Sequence, residues 1–389
     1  MPDRHITPDL LKSLAAWLIV MHHAVLYGPL AQALHQAWPG LAGWLVDYGR
    51  YAVQVFLVTG GYLAAQGLMR PEGAMAPGRS MVWSQWTRAL ARRHARLAWP
   101  FMVAVLLVLL THALTDRWIP DLTPSVSAEQ VLAHALLLHG VLGFESLTVG
   151  AWYVAIDLQL YALLALILGL GPSRVHRGWC WGMVLLLSLA SLWGFNRDER
   201  WDGWALYFFG SYAMGVGAAA LPSFGRWQGL ALLAGACVLG VALAMDFRGR
   251  LLLAGATALA LLALPLVRWP VGRRGQTFWQ TLWQTQGERS YALFLVHFAV
   301  CLAANAGFVA MGGAAHSQGL AGALMLVVLW ASGALARVFH LRVERPLARW
   351  QPWEWVKAGG SSQARGLRAL GLFSAALCLP WGLEPLLLE

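Results

Sequence analysis

Residues 151–170 read AWYVAIDLQLYALLALILGL, with a single carboxylate, Asp157, in the run. About 20 mostly apolar residues suffice to cross a bilayer as a helix. No soluble surface helix tolerates that composition on all faces. Tyr153, Asp157 and Tyr161 recur at i, i+4 and i+8, so one polar stripe runs along an otherwise lipid-compatible helix. An ionisable group at such a depth costs about 2.5–3.5 kcal/mol on insertion scales and needs a partner or a task.

The rest of the chain has the same character. Its 389 residues are 59% hydrophobic and 12% charged, with 22 Trp and a mean hydropathy of +0.57. Soluble domains carry about 25% charged residues. A soluble enzyme, a disulfide scaffold and a disordered chain are therefore excluded. The net charge of +10 fits basic loops flanking membrane spans better than nucleic-acid binding. Cys180, Cys237, Cys301 and Cys378 lie in apolar runs without paired spacing and read as small buried hydrophobes. The N-terminal apolar stretch is interrupted by His22 and His23, which favours a retained span over a cleaved signal.

The expected fold is all-α: a polytopic bundle of about ten spans plus an eleventh, with a cytoplasmic N-terminus. Apolar runs fall near 8–27, 50–69, 97–115, 150–170, 179–195, 204–221, 227–245, 250–267, 289–311 and 319–341, with a weaker one near 366–384. The short run 129–144 is expected to form a re-entrant or interfacial helix inside one long loop. This arrangement puts 22 of the 28 Lys and Arg on the N-terminal side, as the positive-inside rule requires. Residues 1–349 read as the main membrane domain, and 350–389 as a cytoplasmic linker with the extra span.

Several polar residues sit where a structural span needs none. Lys12 and His23, eleven apart, share one helical stripe about 16 Å long, with His22 to its side. Asp157 is expected at the depth of His23, where it either orients that imidazole as a general base or anchors a neighbouring helix. Arg92, Arg93 and Arg96 form a cationic patch before Pro100, either as membrane anchors or as guanidinium forks for phosphate. Ser290 and His297, seven apart, make a second inward seam beside Tyr291. Thr59-Gly60-Gly61-Tyr62 permits a close backbone approach, by helix packing or by a ligand. No spacing completes a metal site around His22 and His23.

Together these pieces resemble the acyltransferase-3 family of integral membrane acyltransferases over residues 8–349. The family's first span carries an Arg, ten residues and a His; Lys12 and His23 hold those positions. Phe56 to Leu63 resembles its Phe-Phe-x-x-Ser-Gly element, with Gly60 for Ser. Arg92, Arg93, Arg96 and Pro100 match its arginine element. Trp152, Asp157, Gln159 and Tyr161 match its Trp-x-x-x-x-Glu-x-Gln-x-Tyr element, with Asp for Glu. Ser290, Tyr291, Phe294, Leu295 and His297 match the Ser-Tyr element, and Glu344-Arg345-Pro346 the closing one.

The resemblance implies a multi-pass protein of the bacterial cytoplasmic (inner) membrane. It would move an acyl group, in the simplest case acetyl, from acyl-CoA to a hydroxyl of an envelope sugar, glycolipid or polysaccharide, without a metal. His23 and Asp157 would be catalytic. Lys12, Arg92, Arg93 and Arg96 would hold the CoA phosphates. His22, Trp152, Tyr153, Gln159, Tyr161, Ser290, Tyr291 and His297 would line the substrate path, one continuous cleft joining His23 to the arginines. The rival reading is a transporter or flippase for a lipid-linked sugar.

Overall fold

The computed structural model describes residues 6–69, 83–120, 126–169, 174–264, 273–313 and 318–349. Every regular element among them is a helix: α1 Thr7–Ala24, α2 Gly28–Ala37, α3 Pro39–Tyr48, α4 Ala52–Met69, α5 Trp83–Thr115, α6 Ala128–Ala135, α7 Ala151–Gly169, α8 Arg174–Trp193, α9 Ala205–Ala220, α10 Gln228–Met245, α11 Gly249–Ala263, α12 Arg273–Ala310, α13 Gln318–Phe339 and α14 Arg345–Arg349. Seven continuous stretches among the described residues are long and apolar enough to cross a membrane, or eight if the bent pair α1–α2 is one span. One of these stretches, 205–245, joins α9 and α10 through a turn at Gly225, whose φ is +53°. The chain reverses there, because both the start of α9 and the turn after α10 return to residues 191–197. Ser191 and Asn196 donate to the Tyr207 carbonyl, and Arg248 reaches Asn196 and the Leu192 carbonyl. The eleventh apolar run, near 366–384, and Cys378 lie outside the described residues.

Side-chain pairs give the directions of the central helices. Lys12 meets the Gly287 carbonyl and His23 meets His297, so α1 and α12 run parallel. Trp86 donates to the Ala162 carbonyl and Arg93 to Asp157, so α5 and α7 are antiparallel. The glycines of α4 serve packing: a Cβ on Gly61 would run into the Tyr212 carbonyl of α9, and one on Gly215 into the Val58 carbonyl of α4. Ile19, Val20, Phe101, Leu160, Phe209, Tyr212 and Val296 are buried in the resulting core. By contrast, α10 buries only Ala242. Cys237 on that peripheral helix is exposed, against the expectation that all the cysteines are buried; Cys180 and Cys301 are buried.

Two departures from the expected spans shape the interior. First, α5 and α12 begin at Trp83 and Arg273, well before their apolar runs. At 1.5 Å per residue α5 is about 50 Å long and α12 about 57 Å, more than a bilayer needs. Second, the connector between α5 and α7 folds back along α5. Its helix α6 opens with a capping box between Ser127 and Gln130. His94, about 30 Å down the helix from Thr115, bonds the Ala135 carbonyl. The connector is therefore re-entrant with respect to α5, and α7 starts deep inside the bundle.

Candidate active site

A cavity of about 410 Å³ opens among α1, α4, α5, α7, α12 and the segment after α13. It is lined by Lys12, Thr59, Gly60, Arg93, Arg96, Tyr153, Asp157, Ser290, Tyr291, His340, Glu344 and Arg345, among others. Residues far apart in sequence thus converge as the motifs suggested. The charges arrive largely paired. Lys12 lies 3.0 Å from Asp9, Arg93 2.6 Å from Asp157, and Arg345 3.1 Å from Glu288. His340 Nδ1–H donates to the Glu344 carboxylate at 2.8 Å. Arg96 makes no ion pair or hydrogen bond among the described residues and is exposed to the cavity. It is the cation best placed to receive an anionic ligand.

The His340–Glu344 stretch is a π-helical turn, a form concentrated at functional sites. His340 was not anticipated from the sequence, although its i, i+4 spacing to Glu344 was there to see. Pro100 removes one helical N–H just past Arg96. One turn away, the Tyr291 hydroxyl donates to the Leu97 carbonyl and fixes α12 against α5.

The predicted pairing of Asp157 with His23 is not found. Asp157 is bonded to Arg93, whose guanidinium also lies over the Tyr161 ring at 5.2 Å. The re-entrant connector explains the difference. Because α7 starts deep, Tyr153 sits at the level of Phe294, and Asp157 falls one turn to the arginine side of it. His297 lies one turn to the other side, which separates Asp157 from the His23–His297 level by about 10 Å along the axis.

His23 instead stacks on His297, with ring centroids 5.0 Å apart, an interplanar angle of 10° and 2.8 Å between Nδ1 of His23 and Nε2 of His297. Both rings are buried. Neither lines the arginine cavity, so the expected uninterrupted cleft is also absent. Phe56, Tyr153 and Phe294 close the cavity's inner end in mutual edge and tilted contacts, 5.5–5.8 Å between centroids. Phe294 in turn touches His297 at 6.2 Å. Three rings stand between the cationic vestibule and the imidazole pair.

Beyond the histidines a second, open groove of about 710 Å³ begins at Val25 and Leu26, two residues after His23. Gln32, His35, Trp118 and Pro120 also line it. Its geometry depends on a bend of 96° between α1 and α2. Asn305 of α12 holds the bend: its Oδ1 accepts from the Leu30 N–H and its Nδ2 donates to the Tyr27 carbonyl. Gly28 has φ +83° there, and a Cβ would collide with the Asn305 amide. Asn305 is a second residue that sequence reading missed; an amide in the middle of an apolar run was the available signal.

Other predicted site residues make structural contacts outside the cavity lining. His22 is bonded to the Leu45 carbonyl and ties α1 to α3. Arg92 is exposed, bonds the Arg88 carbonyl and does not line the cavity. Trp152 stacks on Phe208 at 5.4 Å. Gln159 accepts from the Ala205 N–H at the start of α9. Tyr161 is the ring beneath Arg93. None of these five lines the cavity. Lys12, Arg93, Arg96, Tyr153, Asp157, Ser290 and Tyr291 do.

Family comparison agrees with the residue pattern. A model described as an acyltransferase domain matches residues 6–337, most of the chain. The chain belongs to the acyltransferase-3 family. No curated protein and no solved structure matches it. As a member of this family it is a multi-pass membrane acyltransferase, and every helix that builds the cavity wall up to α13 falls inside the matched region.

Proposed function

We propose that this acyltransferase takes its acyl group from acyl-CoA in the cytoplasm and delivers it to a hydroxyl of an envelope sugar or glycolipid, in a bacterial inner membrane. The observation that carries the reading is the order of parts along one axis. A cavity with an arginine that has no hydrogen bond or ion pair among the described residues, three rings, a buried imidazole pair and an open groove follow each other through the bundle. Arg96, with Lys12 and Arg345 nearby, supplies charge for the phosphates of the donor. The flexible thioester arm is narrow enough to pass the Phe56–Tyr153–Phe294 rings once they turn aside. The groove beside Val25 offers the acceptor an approach from the opposite end.

His23 then acts as general base on the acceptor hydroxyl. The hydroxyl oxygen attacks the thioester carbonyl, the C–S bond breaks, and the departing thiolate takes the proton that His23 received. The test is transfer of label from acetyl-CoA by purified protein to the glycan fraction of membranes from the producing strain. Wild-type protein is expected to transfer label and His23→Ala to lose it. Full transfer by His23→Ala would remove the imidazole from the reaction.

A further inference from the structure

His297 sits where a triad would place a carboxylate, and the hydrogen-bond pattern fixes its protonation. Its Nδ1 is 3.2 Å from the Leu293 carbonyl. A carbonyl oxygen only accepts, so His297 Nδ1 carries the hydrogen. A neutral His297 therefore presents a bare Nε2, and that atom lies 2.8 Å from His23 Nδ1. Only one polarity satisfies the pair: His23 Nδ1–H donates to His297 Nε2. The remaining His23 nitrogen, Nε2, is then an unprotonated lone pair with no hydrogen bond among the described residues.

We infer that His297 is the positioning residue of the reaction: it locks His23 in the Nδ1–H tautomer and leaves Nε2 as the base. This rests on the reading of His23 given above and replaces Asp157 in the role expected from sequence. A backbone carbonyl, an imidazole and a second imidazole form one chain, Leu293 C=O, His297, His23, with no carboxylate ion-paired to either ring among the described residues. The groups facing the pair are His22, 5.0 Å from the His23 ring, and Tyr27, 5.8 Å from it. When His23 Nε2 takes the hydroxyl proton, the Nδ1–H bond to His297 shortens and spreads the positive charge over two rings. The proton returns through Nε2 to the leaving thiolate, so both rings end neutral.

The experiment has two readouts on the full chain. The first is the ¹⁵N spectrum of histidine-labelled protein, with His23 assigned by its disappearance in His23→Ala. The second is label transfer from acetyl-CoA across pH. Wild type is expected to show His23 protonated on Nδ1. His297→Ala is expected to lose that tautomer, to transfer label about 100-fold more slowly, to shift the acidic limb of its pH profile, and to keep its donor KM. Gln places an acceptor oxygen near the position of Nε2, so His297→Gln should keep the tautomer and recover turnover to within about tenfold of wild type. A His23 ring protonated on Nε2 in wild type would overturn the inference. So would a His297→Ala protein with unchanged rate and profile, or a His297→Gln protein as slow as His297→Ala. Activity surviving in His23→Ala would instead refute the base itself, whichever tautomer the spectrum shows.

Discussion

Half-buried Arg93 and buried Asp157 form an ion pair at 2.6 Å between α5 and α7, about 10 Å along the axis from the imidazole that Asp157 was expected to support. The pair joins two antiparallel helices at the wall of the cavity. Breaking a buried pair by removing one partner costs about 3–5 kcal/mol, because the survivor is left charged and unpaired. Because Arg93 is partly exposed to the cavity, Asp157→Ala is expected to lower stability in detergent by less than that amount. Arg93→Met combined with Asp157→Leu should recover most of it. An Asp157→Ala protein of full stability but no turnover would point to a role in the chemistry instead.

Arg96 and Arg92 differ in what they face. Arg96 lines the cavity without a hydrogen bond or ion pair among the described residues, whereas Arg92 does not line it and bonds the Arg88 carbonyl. A charge-assisted hydrogen bond contributes about 1.5–3 kcal/mol, so Arg96→Ala should raise the donor KM by roughly tenfold or more. Arg92→Ala should change it by less than about twofold. Titration of label transfer against acetyl-CoA concentration separates the two.

Phe294 stands between the vestibule and His297, and its ring is held against Gly150, where an added Cβ would strike it. A bulkier ring should obstruct passage of the thioester. Phe294→Trp is expected to slow label transfer strongly while leaving the donor KM within about twofold. Phe294→Leu should remain active. Equal rates in the two variants would show that the rings do not lie on the path.

His139 packs face to face on His134, with centroids 4.0 Å apart, in the connector outside the spanning stretches. Both of its ring nitrogens are buried without a partner among the described residues. Burial, reinforced by the neighbouring His134, pushes the His139 pKa down from 6.5 to about 3. The folded connector thus binds this proton less readily than the unfolded one. Its stability is complete above pH 6.5 and declines as pH falls from there towards 3. Relative to the intrinsic exchange rate at each pH, amide exchange over 126–150 should accelerate between pH 7 and pH 5 in wild type. In His139→Phe that acceleration should be reduced; an identical pH response in both proteins would refute the assignment to His139.

Much of the architecture was legible in the chain itself. Apolar length is a local property, so each of the ten principal runs coincides with a helix, displaced by a few residues at most ends. The starts of α5 and α12 were misjudged because Arg and Gln lower the hydropathy of 83–96 and 273–288, although tertiary bonds such as Trp86 to Ala162 and Arg93 to Asp157 engage the first of these helical extensions. Of the residues that the family resemblance put on one path, Lys12, Arg93, Arg96, Tyr153, Asp157, Ser290 and Tyr291 line the cavity, whereas His22, His23, Arg92, Trp152, Gln159, Tyr161 and His297 do not.

Composition and periodicity, then, determined that this is a helical membrane protein and which faces of its helices turn inward. Depth was decided only by the tertiary structure. A helix period gives the direction in which a side chain points, but where along the bundle a helix begins depends on the path of the preceding connector. Here the connector folds back along α5, lowers Asp157 to Arg93, and leaves His23 to be met by His297 from the parallel helix α12.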